Sequence, residues 1–115
     1  MAGLGPQGES DKFRWCNLEG GEEVELEFDL PEGCRQTDIG VRIKDNFVSV
    51  KIMGRVVVED ELLNRCDADG SRWEIRGTRL VIILEKASGS RVPWPSVFVN
   101  QCKAKLDFSD LKRFF

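Results

Sequence analysis

The chain has 115 residues, of which 32% are charged and 41% hydrophobic, and a formal net charge of −3. A single domain of that size buries roughly two-thirds of its unfolded surface and folds without staples. It holds no histidine, which excludes Ser-His and Cys-His catalytic pairs, and Cys16, Cys34, Cys66 and Cys102 contain no C-x-x-C spacing, which removes the usual zinc sites.

Residues 1–11, rich in glycine and polar groups, are expected to form a flexible leader. The first strand is predicted over residues 12–17, with Phe13 and Trp15 on one side. After the turn at Gly20 and Gly21, residues 22–30 form the clearest element of the chain. Val24, Leu26, Phe28 and Leu30 alternate with Glu23, Glu25, Glu27 and Asp29, which gives a strand with one dry face and one charged face. Pro31 and Gly33 end it. A third strand over residues 38–44 turns Ile39, Val41 and Ile43 inward and Arg42 and Lys44 outward. Asp45-Asn46 is a turn, and a fourth strand over residues 47–53 puts Val48, Val50 and Ile52 on one face. Gly54 breaks it, and the β-branched run Val56-Val57-Val58 marks a fifth. Residues 67–70 read as a hairpin loop. Strands over residues 71–76 and 79–85 follow, with Trp73 and Ile75 facing one way and Leu80, Ile82 and Leu84 aligned on the other strand.

Seven short strands separated by turns predict an all-β, seven-stranded antiparallel β-sandwich over residues 12–98. Residues 99–115 are a separate C-terminal tail. Leu106, Phe108, Leu111, Phe114 and Phe115 give its end an amphipathic helical spacing that either docks on the sandwich or meets a partner.

Charge is uneven along the chain. Residues 1–32 hold nine acids and two bases, a net of −7; residues 33–115 hold eleven acids and fifteen bases, a net of +4. Either the acidic strand faces basic neighbours across its sheet, or the asymmetry steers a charged protein partner. No basic stripe with interleaved aromatics points to nucleic acid. No apolar run approaches a membrane span, and the N-terminus lacks a signal core. The cysteines are therefore expected to be free thiols in a reducing compartment. Asp67 and Asp69 lack the following bidentate glutamate of a calcium loop. No catalytic group and no cofactor are expected. Trp73 reads as core, whereas Trp15 near a sheet edge and Trp94 between prolines are read as packing back on the sandwich or contacting a partner.

The order of these features resembles the CS domain, the sandwich shared by small co-chaperones, and within it the nuclear distribution protein C (NudC)-like branch. The residues that carry the likeness are Trp15, the alternating run from Val24 to Pro31, Asp38 to Ile43, Val48 to Lys51, Val56 to Leu63, Ser71 to Ile75, Leu80 to Lys86, and Trp94. Asp60 stands where the family usually has glycine in its G-x-L step, which affects the local turn and not the fold. The resemblance implies a cytoplasmic, non-enzymatic co-chaperone module. Its implied partners are protein clients and the ninety-kilodalton heat-shock chaperone, with no nucleic acid, membrane or cofactor. A monomer is expected, since no coiled-coil segment is present. The alternative is an adaptor in dynein or nuclear-migration complexes that uses the C-terminal tail. A small heat-shock protein is the nearest structural rival, but the C-terminus lacks an Ile-x-Ile type segment. Candidate partner contacts are Arg42, Lys44, Lys51, Arg72 and Trp73, with Trp15 and Trp94 near the ends; for each basic residue the alternative is a solvated sheet face.

Overall fold

The computed structural model describes residues 3–9 and 13–100. In chain order the strands are β1 (Gly3–Glu9), β2 (Arg14–Leu18), β3 (Glu23–Asp29), β4 (Ile39–Lys44), β5 (Phe47–Ile52), β6 (Arg55–Glu61), β7 (Cys66–Arg76) and β8 (Arg79–Lys86). They form two antiparallel sheets, one ordered β1-β2-β3-β8-β7 and the other β4-β5-β6. The seven strands expected from the sequence are β2 to β8, four in the first sheet and three in the second, and the sandwich is as predicted.

Two local expectations are corrected. Part of the expected leader, Gly3–Glu9, is an edge strand paired with β2. Its glycines and Pro6 carry no alternating pattern, so the side chains give no strand signal. Its backbone pairs nonetheless, with an irregular register between Gly3 and Gln7, around a proline that has no N–H to donate. Residues 67–70 are not a hairpin loop but a bulge inside β7. Asp67 pairs with Glu85 and Arg72 with Ile83, so five steps along β7 face two along β8. The turn chemistry there is real: Asp69 N–H donates to Asp67 Oδ1, and Ser71 Oγ donates to the Asp67 carbonyl while accepting from Glu85 N–H. The chain simply rejoins the same strand. The helical character expected over residues 106–115 lies outside the described residues.

The two-residue period places the core. Val24, Leu26 and Phe28 of β3 stand in register with Leu84, Ile82 and Leu80 of β8, and all six are at most 1% exposed. Ile39, Val48, Val50, Ile52 and Val58 close over them from the second sheet. Phe13 packs between Phe28 and Phe98, with ring centroids 5.4 and 5.7 Å away.

One flank of the sandwich is sealed by the segment after β8. Asn17, an inward residue of β2 that is 1% exposed, holds both backbone groups of Trp94. Trp94 N–H donates to its Oδ1 (2.8 Å), and its Nδ2 donates to the Trp94 carbonyl (3.0 Å). The side-chain amide thus imitates a rung of a β-ladder. Leu62 bridges to Phe98, and Leu63 N–H donates to the Val97 carbonyl, so the segment also grips β6 and its exit. Lys86 is buried with its Nζ donating to the Val92 carbonyl (2.9 Å), and burial lowers its pKa.

Candidate protein-binding surface

Strand order decides how charge is arranged on the two outer faces. In the first sheet β8 runs between β3 and β7. The β3 acids stand in register with Glu85, Ile83, Val81 and Arg79 of β8, and Arg72, Glu74 and Arg76 of β7 line up on the same side. Arg72 reaches Glu23 (2.9 Å) and Arg76 reaches Glu25 (3.0 Å), both across β8. Arg79 meets Glu27 (2.9 Å), and Arg14 of β2 meets Asp29 (3.1 Å). The stems of these side chains lie over Val81 and Ile83, which are 1% and 4% exposed although they point away from the core. The acidic strand does face basic neighbours across its sheet. The hydrogen bond from Arg14 holds the Asp29 carboxyl below its ordinary range, and the bond to Glu23 raises the Arg72 pKa. A polar depression of about 420 Å³ at the end of this face is lined by Glu22, Glu23, Glu85, Arg72 and Arg91 among others. Its arginines are taken by Glu23 and Glu22, so it offers no unpaired cation to a ligand.

The second sheet is arranged otherwise. Alternation and register put Arg42 and Lys44 of β4, Phe47, Ser49 and Lys51 of β5, and Val56, Glu59 and Glu61 of β6 on its outer face. Arg42, Ser49 and Glu59 form one cross-strand row; Lys44, Phe47 and Glu61 form the next. Among the described residues none of these five charges takes part in an ion pair. Bases sit along β4 and acids along β6, so the face is electrically lopsided. Met53 and Val56, 50% and 49% exposed, stand at one end of it. Met53 and Gly54 are the central residues of the β5–β6 turn, with φ of 52° and 80°. That is the geometry of a tight hairpin turn, which usually takes Asn or Gly at the first position. A methionine there carries backbone strain.

The sequence-predicted contacts separate accordingly. Arg42, Lys44 and Lys51 are brought together on one open face. Arg72 is on the opposite face and is engaged by Glu23. Trp73 faces inward on β7 and is half-buried, packed against the core from the side. Trp15 and Trp94 take the packing alternative of the two: they are 4% and 3% exposed. β1 pairs outside Trp15 and Asn17 pins Trp94, so neither ring is presented to a partner. Sequence reasoning missed Met53, Val56 and Ile75 as exposed apolar groups. Ile75, 36% exposed, shares the parity of Trp73 and reads as core until β7 is known to be a sheet edge. It also missed Asn17, whose signal was a polar residue at an inward position two after Trp15.

Among the described residues no group of three or more Asp, Glu or Cys could hold a metal ion, and no helix is long and apolar enough to cross a membrane.

The CS domain family model matches residues 18–86. Among solved structures, a nuclear movement protein from E. cuniculi GB-M1 superimposes with a TM-score of 0.62 at 24% identity, over 76% of this chain and 99% of that one. The CS domain of the human KIAA1068 protein superimposes with a TM-score of 0.69 at 15% identity, over 81% of this chain and 77% of that one. At these identities the likeness is one of fold. A comparison with curated protein sequences returns no match.

Proposed function

The chain belongs to the CS domain family, and from that premise we propose that it is a non-enzymatic protein-binding module that acts as a co-chaperone in the cytoplasm. The folding unit is residues 12–98, working as a monomer without a cofactor. Its partners are non-native protein clients and the ninety-kilodalton heat-shock chaperone. The observation that supports this reading is the outer face of β4-β5-β6, where Arg42, Lys44 and Lys51 have no ion pair among the described residues and lie beside exposed Met53 and Val56. Charged groups left unanswered within a fold steer and orient a charged partner, and exposed apolar side chains supply the contact area.

The test is light scattering from an aggregating client with the domain in several-fold excess. Suppression is expected, and the triple variant Arg42→Glu, Lys44→Glu, Lys51→Glu should lose it. No suppression, together with no binding to the heat-shock chaperone, overturns the reading. A second reading, an adaptor in nuclear-migration complexes, is favoured by the nuclear movement protein that the fold covers almost end to end. It predicts that deleting residues 100–115 removes specific partners from a pull-down while client protection persists.

A further inference from the structure

The two flanks of the sandwich differ. At the flank where β6 ends one sheet, the Trp94–Phe98 segment fills the gap, pinned by Asn17, Leu62 and Leu63. At the other flank β4 ends the second sheet, β7 ends the first, and the two pack against each other. No further strand covers this seam among the described residues. Val41 and Ile43 of β4 and Trp73 of β7 are only partly buried there, and Ile75 is 36% exposed. One end is closed by Cys66, whose N–H donates to the Asp45 carbonyl (2.8 Å) and whose Sγ donates to the Lys44 carbonyl (3.3 Å).

We propose that this seam receives an extended segment of a partner protein in which acidic and apolar residues alternate, added as a strand alongside β4. The inference rests on the protein-binding reading and names its occupant. An edge strand has unpaired backbone groups on its outer side and is a template for strand addition. A segment lying beside β4 must alternate its side chains between the sheet's two faces. Those turned inward meet Val41, Ile43, Trp73 and Ile75. Those turned outward fall next to Arg42 and Lys44, which have no ion pair among the described residues. Opposite charges in cross-strand positions are favourable, and like charges are not. The molecule already contains one such arrangement, since β3 alternates acids with apolar residues and lies beside arginine-bearing strands.

The test uses the full chain, uniformly labelled with nitrogen-15, and a fluorescent peptide Pro-Glu-Ile-Glu-Ile-Glu-Pro, whose prolines block self-association. Amide resonances of residues 39–44 and 73–76 are expected to shift on titration. A peptide with lysine in place of glutamate should leave them still. Ile75→Asp and, separately, Arg42→Glu should each weaken binding at least ten-fold in fluorescence anisotropy; both positions are exposed, and the second variant serves if the first misfolds. Shifts confined to β5 and β6, no shifts at all, or equal binding by both variants overturns the proposal. So do concentration-dependent shifts at the seam without peptide, which would assign it to a second copy. If client aggregation is still suppressed in any of these cases, the seam is wrong and the protein-binding reading stands; if suppression is absent as well, the reading itself falls.

Discussion

On the outer face of the first sheet, Glu23, Glu25, Glu27 and Asp29 each meet an arginine; on the outer face of the second, Arg42, Lys44 and Lys51 meet no acid among the described residues. The flanks follow the same division, one sealed by the chain's own Trp94–Phe98 segment and the other left as a seam. The difference lies in which cross-strand pairs close, not in how many strands separate them. β3 acids and β7 arginines are separated by one strand, and long side chains span it, drying Val81 and Ile83 beneath them. In the second sheet, bases and acids are likewise separated by one strand, yet the pairs across Ser49 and Phe47 are not made. Surface ion pairs contribute little to stability. Their presence on one face is therefore most telling for what it withholds from partners, and their absence on the other for what it offers.

The largest effect should come from breaking the sealed flank. Asn17→Ala removes both hydrogen bonds to Trp94 and leaves a buried N–H and carbonyl unsatisfied, which costs on the order of 2–4 kcal/mol; urea unfolding measures it. A loss below about 0.5 kcal/mol would mean that the segment holds itself.

Exchanging the faces sharpens the contrast. Arg72→Ala with Arg76→Ala should lower the unfolding midpoint, since Val81 and Ile83 lose their cover, and leave client protection intact. The reversal of Arg42, Lys44 and Lys51 should do the opposite. If both sets impaired protection equally, the division of labour between the sheets would be wrong.

A smaller effect is expected at the β5–β6 turn. Met53→Asn relieves the left-handed strain and should stabilise the fold by up to about 1 kcal/mol, while weakening client binding if the exposed methionine is a contact. Thermal unfolding and light scattering on one variant separate the two.

The smallest concerns acid. Folding lowers the Asp29 pKa from its ordinary 3.8. The associated stability is therefore complete above the unfolded value and is lost as pH falls through the folded one. Arg14→Ala should flatten the pH dependence of stability below pH about 4 and leave it unchanged at neutrality.

Much of this was legible in the chain. The alternation from Glu23 to Leu30 marks a half-buried strand unaided, and the inward sets of β4, β5 and β8 follow from the same period. What the period cannot supply is lateral position. Arg42 and Arg72 both read as outward bases, each with an acid one strand beyond its neighbour, and nothing local says that only Arg72 closes its pair, with Glu23. Trp73 and Ile75 have correct inward parity, but nothing local says that β7 is the last strand of its sheet and that inward there means half-covered. β1 was missed because its sequence, with three glycines and a proline, carries no alternating pattern. For Trp94 the choice between packing and partner contact stayed open because it is made by Asn17, 77 positions away in the chain.

The Asn17 rung has a practical consequence for anyone preparing this molecule. The family match stops at residue 86 and starts at 18, yet Phe13, Trp15, Trp94, Val97 and Phe98 all belong to the core. Each such side chain is worth roughly 1.5–3 kcal/mol of burial, and together they rival the roughly 5–15 kcal/mol by which a domain of this kind is stable at all. A fragment trimmed to the matched limits should precipitate on expression, and one running from residue 3 to residue 100, which keeps β1, should not.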